Sequence, residues 1–417
     1  MREGEDMTTE ANQPWHTDKW FTSPWNHDTE VAGSLAFPAE VEIHDVTLRD
    51  GEQQAGVIFT ADDKVRIAEA LAAAGVHRIE AGLPAVSDAD AAAVRRIVGM
   101  GLPSKIYAFS RCMIDDVKIA VDCGVHGIVM EIPSSRHLIE LGYRWTVERA
   151  VELSVAATRF AHENGLKVSF FPIDATRASV SDYLSLVEQV ARDGHIDGLG
   201  LVDTFGVLAP HAVQRFARLS RERLNVPLET HFHMDYGMGV ANSLIATAAG
   251  AGCIQTTVSG LGERAGNTPM EETVLALLTL YGVDAGLRTE QFTSLARLVA
   301  DLSGVEQPSN RAVTGSRLFD VESGIIATWV RNVRAVDRTE AAPYLPELVG
   351  QRGPNIVLGK GSGIDNVNDG LDRIGVSAGE DEKLEILAQV KALSLERKAL
   401  LSDDDLRSIA DRVVSSQ

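Results

Sequence analysis

The hydrophobic pattern of this chain becomes regular near residue 41. From there on, short runs rich in β-branched and apolar residues alternate with longer Ala- and Leu-rich segments of helical periodicity. The runs that predict strands are residues 41–48, 77–81, 105–109, 127–132, 167–171, 198–202, 228–232 and 254–258. Eight strand–helix units in this order predict an α/β fold, a closed (β/α)8 TIM barrel with parallel strands.

The pattern also divides the chain. The predicted regions are an N-terminal arm (residues 1–40), a TIM-barrel catalytic domain (41–304) and a C-terminal lid with a small helical subdomain (305–417). Trp15, Trp20 and Trp25 stand among polar residues of the arm, which predicts that it packs on the body or on a partner subunit. Helical patterns at 381–393 and 402–414 define the subdomain. We expect a homodimer that exchanges elements across its interface.

Chemically versatile side chains gather where the predicted strands end. In a (β/α)8 barrel the C-terminal ends of the strands form one mouth, and the active site lies there. Such residues end or follow six strands: Arg49, Asp50 and Gln53; Glu80; Ser134 to His137; Asp203 and Thr204; His231 and His233; and residues 260–267. Ordinary loop polarity explains one or two such positions, but not six at a single mouth.

Two of these residues predict a metal site. His231 and His233 lie two positions apart at the end of the seventh strand, so their side chains point to the same face. A structural role would explain a lone histidine pair equally well, but two imidazoles and a carboxylate, here Asp50, are a typical divalent-metal site. Asn267 is either a further amide ligand or a turn residue. Such ligands admit Mg, Mn or Zn.

Arg49 precedes Asp50 and predicts an anion-binding site. A metal chelated by a 2-oxo acid polarises the ketone, and Arg49 would hold a carboxylate or the developing alkoxide. The alternative for Arg49 is a surface salt bridge. Gln53 and Thr204 would add neutral hydrogen bonds to the substrate.

Two further features receive structural interpretations. The Gly-rich run at 359–363 lacks the P-loop pattern, so a tight turn is favoured over a phosphate site. Glu271 and Glu272 begin a helical run, where their negative charge favours the helix N-terminus.

Composition narrows the range of partners. The net charge of −20 argues against nucleic acid or an anionic membrane as partner, but not against a small anionic substrate in a cationic pocket. The sequence has no apolar run long enough to span a membrane and no apolar signal core. Its three cysteines form no CxxC pair and are typical of free thiols in a reducing compartment. We therefore expect a cytoplasmic protein.

Three segments identify a family. Residues 47–53 (Thr-Leu-Arg-Asp-Gly-Glu-Gln), 231–233 (His-Phe-His) and 257–267 (Thr-Val-Ser-Gly-Leu-Gly-Glu-Arg-Ala-Gly-Asn) closely resemble signatures of the 2-isopropylmalate synthase and homocitrate synthase family. These are metal-dependent TIM-barrel enzymes of a superfamily of Claisen condensation and lyase enzymes. Members condense an acyl-CoA, usually acetyl-CoA, with a 2-oxo acid to give a 2-alkylmalate-type acid and CoA.

The resemblance implies roles for individual residues. The implied metal ligands are Asp50, His231, His233 and Asn267. The implied contacts to the 2-oxo acid are Arg49, Gln53 and Thr204, with Glu80 and His137 lining the same pocket. Because the chain stops at Gln417, we expect neither the leucine-sensing C-terminal domain of longer relatives nor control by leucine.

The chain departs from the family pattern at the positions that resemblance assigns to proton removal. Ile173 replaces the usual glutamate after the fifth strand, and Gly361 replaces the histidine of a Gly-Lys-His-Ser-Gly motif. Residues 321–326 also lack the histidines that usually flank Ser-Gly-Ile. Isoleucine and glycine cannot accept a proton. The candidate replacement bases are Asp174, His137 and Tyr143.

Three functions compete on these grounds. The leading hypothesis is a Claisen-type acyltransferase that uses acetyl-CoA or another acyl-CoA and has a relocated base. The second is a metal-dependent carbon–carbon lyase or aldolase that acts on a 2-hydroxy or 2-oxo carboxylic acid, which the lost bases suggest. The third is a non-catalytic, substrate-sensing relative, and the retained metal ligands argue against it.

Overall fold

The computed structural model of the protein describes residues 13–415. The described residues form two compact units. One is Trp25–Gln307, and the other combines residues 13–24 with residues 308–415. Within residues 13–415, no helix combines the length and apolarity that crossing a lipid bilayer requires. Residues 1–12 of the predicted arm and 416–417 of the predicted subdomain lie outside the described residues.

Residues 25–307 contain a closed barrel of eight parallel strands, which confirms the predicted fold. The strands are β1 Glu42–Asp45, β2 Arg78–Glu80, β3 Lys105–Arg111, β4 Gly127–Pro133, β5 Lys167–Ile173, β6 Gly198–Asp203, β7 Leu228–Phe232 and β8 Cys253–Thr256. Each strand pairs with the next, and β1 closes the barrel on β8 with Glu42 opposite Cys253. Every run that the hydrophobic pattern marked as a strand overlaps one of these strands, although several observed strands extend one or two residues beyond the predicted bounds.

The helices of this unit alternate with the strands, with one before β1 and two in succession after β8. They are α1 Thr29–Ala32, α2 Ala61–Ala73, α3 Asp88–Gly99, α4 Ile114–Cys123, α5 Val147–Glu163, α6 Val180–Asp193, α7 Pro210–Leu224, α8 Gly239–Ala248, α9 Met270–Tyr281 and α10 Phe292–Ser303. Capping sets several boundaries. The α2 helix begins with a reciprocal capping box, in which Thr60 and Asp63 each bond the other's backbone N–H.

The barrel interior has an apolar side and a polar side. Tyr107, Phe109, Val129, Phe171 and Val202 form a buried cluster from β3 to β6. The strands that complete the circle, β7, β8, β1 and β2, contribute mainly polar and charged side chains to the interior. This asymmetry places the candidate metal ligands on one arc of the barrel.

The other unit is mainly helical. Its helices are α11 Gly324–Val333, α12 Ile364–Ile374, α13 Glu380–Arg397 and α14 Asp403–Val414, with two short parallel strands, β9 Asp320–Val321 and β10 Asn355–Ile356. Helices α12 to α14 enclose a core that includes Val367, Ile386 and Leu406. From the arm, Trp20 forms a β-bridge with Tyr344 in this unit. The lid function and the homodimer stay predictions.

The Gly-rich run at 359–363 forms a tight turn, as interpreted from its sequence. Ser362 donates its backbone N–H to the Gly359 oxygen at 3.2 Å. The Gly361 N–H donates to Glu322 at 2.8 Å. A carboxylate therefore occupies the donor that a phosphate would need.

Candidate active site

The C-terminal ends of β1 and β7 bring three potential metal ligands together. Ligand atoms of Asp50, His231 and His233 lie within 4.8 Å of one another. His231 Nε2 is 3.5 Å from Asp50 Oδ2 and 3.3 Å from His233 Nε2. All three side chains are buried. The proximity arises because strand ends far apart in sequence meet at one mouth of the parallel barrel.

Hydrogen bonds around this cluster fit a bound divalent ion. The Gln255 Oε1 atom lies 2.9 Å from His231 Nδ1, so Nδ1 donates and the lone pair of Nε2 faces the cluster. Asn267 donates to Asp50 Oδ1 at 2.6 Å, while its own Oδ1 has no partner within residues 13–415. A buried, unpaired amide oxygen beside a carboxylate and two imidazoles is a ready cation ligand.

The ionisation states at this cluster also suit a cation. Burial lowers the pKa of His233 to about 4, so its imidazole is neutral at neutral pH. Burial opposes ionisation of Asp50, but the Arg49 guanidinium holds the pKa of Asp50 well below its usual range. Metal ligands must be deprotonated, and the lowered pKa values of Asp50 and His233 meet that requirement.

Arg49 is buried beside the cluster instead of lying on the surface. The Nε atom of Arg49 donates to Glu80. Its Nη1 atom donates to Asp50 at 2.7 Å and lies 3.4 Å from Gln53 Oε1. Its guanidinium lies 4.1 Å above the Phe109 ring. The remaining nitrogen, Nη2, has no partner in the described part of the chain. Arg49 thus presents one unpaired donor in a fixed orientation.

Glu80 and Gln53 contact Arg49, which links both side chains to the cluster of metal ligands. Glu80 is completely buried, and burial raises its pKa while Arg49 opposes that shift. Gln53 is exposed at the rim. Both positions were predicted to bind substrate, and that role stays a prediction.

The loop that carries Asn267 is held by a buried carboxylate. The Ser259 N–H donates to both oxygens of Glu271, at 3.1 and 2.9 Å. Glu271 is completely buried, and Ser259 has a left-handed backbone with φ of 56°. Glu271 therefore fixes a strained turn, beyond the helix-terminal charge that its sequence position indicated.

Gly266→Ala is expected to displace Asn267. Gly266 has φ of 90°, and a Cβ there would lie 1.9 Å from the Gly260 oxygen. We expect a loss of about 2 kcal/mol in the free energy of unfolding, together with weaker metal binding. Thermal unfolding and calorimetric metal titration measure the two effects. Gly282→Ala is the matched control, because Gly282 has φ of 68° and no atom within 4 Å of its Cβ position. Equal losses in both variants would contradict the steric argument.

The candidate bases Asp174 and His137 form a pair. The Asp174 carboxylate is completely buried and lies 3.0 Å from His137 Nε2. It also accepts hydrogen bonds from Arg177 Nε, at 2.5 Å, and from the Ser135 hydroxyl. Its backbone N–H donates to Thr204 Oγ1 at 2.8 Å. His137 is about half exposed, so it is the accessible member of the pair.

Tyr143 is the third candidate base. It follows a π-helical turn, Leu138–Gly142, and its ring is partly exposed. Burial, together with the nearby charge of Glu131, raises the pKa of Tyr143. A phenol of raised pKa remains protonated at neutral pH, which favours proton donation over proton acceptance.

Comparison with known proteins places the chain in a family. Residues 40–299 match the family described as HMGL-like. The chain belongs to the HMGL-like family. Homocitrate synthase AksA of Methanopyrus kandleri is 39% identical over 389 residues, which cover 93% of this chain and 96% of that protein. The 2-isopropylmalate synthase of Methanocaldococcus jannaschii is 35% identical over 91% of this chain and 73% of that protein. The family resemblance seen in the motifs is confirmed.

The HMGL-like barrel also resembles solved lyase structures. The HMG-CoA lyase of Bacillus subtilis superposes with a TM-score of 0.58 at 20% identity, covering 66% of this chain and 97% of that chain. At this identity the likeness shows the fold alone.

One residue of this HMGL-like site was missed by sequence reasoning. Glu131 lies on β4 two positions after Val129, so both side chains point into the barrel. Its partly buried carboxylate makes no hydrogen bond within the described residues, but it interacts electrostatically with Arg49 and Asp50. Burial raises the pKa of Glu131, with Arg49 opposing the shift. The available signal was a charged residue inside the apolar run Gly-Ile-Val-Met-Glu-Ile-Pro.

Proposed function

We propose that the protein is a divalent-metal-dependent acyltransferase. It condenses an acyl-CoA, acetyl-CoA by likeness to the synthases, with a 2-oxo acid to give a hydroxy acid of the 2-alkylmalate or homocitrate type. The observation that carries this proposal is the buried cluster of Asp50, His231 and His233 beside the unpaired Nη2 of Arg49. The match to homocitrate synthase over nearly the full length of both proteins supports the same reaction.

The residues at the mouth divide the binding of the 2-oxo acid between them. A divalent ion held by Asp50, His231, His233 and Asn267 would polarise the ketone as a Lewis acid, and this donor set suits Mg, Mn or Zn. Arg49 donates from Nη2 to a substrate oxygen. Its contacts with Glu80 and Asp50 fix this donor before substrate arrives, so little reorganisation is needed in the transition state.

Condensation also requires a base that removes a proton from the acyl-CoA methyl group. We assign this step to Glu131, which supplies a carboxylate where Ile173 cannot. Its raised pKa makes it a stronger base than an ordinary glutamate, and no hydrogen bond has to break before it accepts the proton. His137 is the second candidate, on the observation that Asp174 lies 3.0 Å from its Nε2 and would stabilise an imidazolium.

The synthase reaction is favoured over the lyase alternative. The homocitrate and 2-isopropylmalate synthases are 35–39% identical over more than nine-tenths of this chain. The lyase is similar at 20% identity, which carries the fold but no chemistry.

A free-thiol assay tests the proposed reaction. Metal-loaded protein is incubated with acetyl-CoA and a panel of 2-oxo acids, and CoA thiol release is followed. We expect release with one acid and none with acetyl-CoA alone, since hydrolysis without the acid would be a different activity. The lyase reaction would be established instead if no 2-oxo acid in the panel caused thiol release and the protein formed a 2-oxo acid from a 2-hydroxy di- or tricarboxylate.

A further inference from the structure

A second group of potential metal ligands lies inside the barrel, toward the N-terminal ends of the strands. A ring nitrogen of His44, a carboxylate oxygen of Glu229 and the sulfur of Cys253 lie within 4.8 Å of one another. They come from β1, β7 and β8, which are neighbours because β1 closes on β8. All three side chains are buried, and His44 is completely so. None of them belongs to the cluster at the mouth.

Three polar atoms of His44 and Glu229 lack hydrogen-bond partners in the described part of the chain. Neither ring nitrogen of His44 nor Oε2 of Glu229 has a hydrogen-bond partner within residues 13–415. A carboxylate oxygen of Glu80 lies 3.7 Å from His44 Nε2, which is beyond hydrogen-bond length. Buried polar atoms in native proteins are almost always satisfied, because an unpaired one loses its hydration without compensation. Unpaired buried atoms on both His44 and Glu229, in a group that also contains the Cys253 sulfur, point to a bound ligand.

Glu229 is already oriented as a ligating carboxylate. Its Oε1 accepts from Arg78 Nη1 and from Ser169 Oγ, both at 2.8 Å, and this leaves Oε2 bare. Hydrogen bonds of this kind hold metal-binding carboxylates in place. Gly198 on the neighbouring strand β6 leaves space for the Glu229 carboxylate, because a Cβ at this position would lie only 2.7 Å from Glu229 Oε1.

The charges at this position balance when a divalent ion is present. Burial raises the pKa of the Cys253 thiol well above its usual range, so the thiol is neutral without a cation. A metal ion releases that proton to solvent and binds the thiolate. The two positive charges of the ion then face the thiolate and Glu229, while Arg78 is neutralised by its ion pair with Glu42.

We propose that His44, Glu229 and Cys253 bind a second divalent ion of the zinc type inside the barrel. Sulfur and imidazole ligands select Zn over Mg or Mn, whereas the cluster at the mouth contains no sulfur. Three protein ligands leave one coordination position. Of the three ligands, Glu229 also lines a cavity of about 400 Å³ at the N-terminal end of the barrel.

Cobalt substitution tests this site without reference to activity. A thiolate–Co²⁺ bond gives an intense near-ultraviolet charge-transfer band, which oxygen and nitrogen ligands do not give. Protein stripped with a chelator is titrated with Co²⁺, and bound metal is counted by mass spectrometry. We expect two Co²⁺ per chain and a thiolate band. His233→Ala should lose the ion at the mouth but keep the band.

Cysteine variants assign the band to its sulfur. The chain has three cysteines, all buried and free, so Cys112→Ala/Cys123→Ala leaves Cys253 as the only thiol. This double variant should keep the band, and Cys253→Ser should lose it together with one bound Co²⁺. Absence of the band from the unmodified protein, or its loss in the double variant, overturns the proposal. The double variant leaves the cluster itself intact, so the result stands even where Cys253→Ser does not fold.

Discussion

Glu131→Gln lowers kcat for condensation by about 10²–10⁴-fold, the usual contribution of a general base. Glutamine keeps the size of the side chain but cannot accept the methyl proton of the acyl-CoA. The metal ligands and Arg49 are unchanged, so we expect KM for the 2-oxo acid to change little. Steady-state kinetics with the acid identified in the thiol assay measures both constants. Exchange of the acetyl-CoA methyl protons with deuterated solvent should fall in parallel.

The pH dependence of kcat and a matched variant distinguish Glu131 from His137 as the base. A carboxylate base works only when ionised, and burial raises the pKa of Glu131. Activity should therefore be lost, as the pH falls, at a higher pH than an ordinary glutamate would give. His137→Asn should retain most of the activity. If His137→Asn abolishes exchange while Glu131→Gln keeps it, the pair of His137 and Asp174 is the base and our assignment is wrong.

We expect His233→Ala to remove measurable condensation activity and to weaken metal binding at the mouth by more than about 100-fold. Mutation of a residue that only hydrogen-bonds to a metal ligand already costs about 10–100-fold in metal affinity, and loss of a ligand itself should cost more. The Nδ1 atom of His233 has no hydrogen-bond partner among residues 13–415, so loss of the side chain should leave the barrel folded. Calorimetric titration with Mg, Mn and Zn measures the affinity, and circular dichroism checks the fold.

Gln255→Leu provides the graded control for this cluster. Gln255 contacts the metal site through His231 Nδ1, at 2.9 Å, and is not itself among the candidate metal ligands. Its removal should therefore reduce metal affinity by about 10–100-fold, which is less than the effect of losing a ligand. Unchanged metal affinity in His233→Ala would rule out the site at Asp50, His231 and His233.

The sequence by itself determined the barrel and the location of its mouth. Strand and helix periodicities are local, and so are capping signals such as Thr60 with Asp63. Once the strands are parallel, all of their C-terminal ends must meet, so Asp50 and His231 could be placed together from their positions after β1 and on β7. The same rule brought Arg49 to the cluster.

Only the tertiary structure decided which side chains share the barrel interior. Glu131 looks from its sequence like an oddity within an apolar strand, and its neighbours Arg49 and Asp50 are distant along the chain. His44 and Cys253 meet because β1 closes on β8. The inward face of a strand follows from its alternation, but the height of each residue along the barrel axis depends on the register between strands. That register is set by the packing of all eight strands together, which no local pattern encodes.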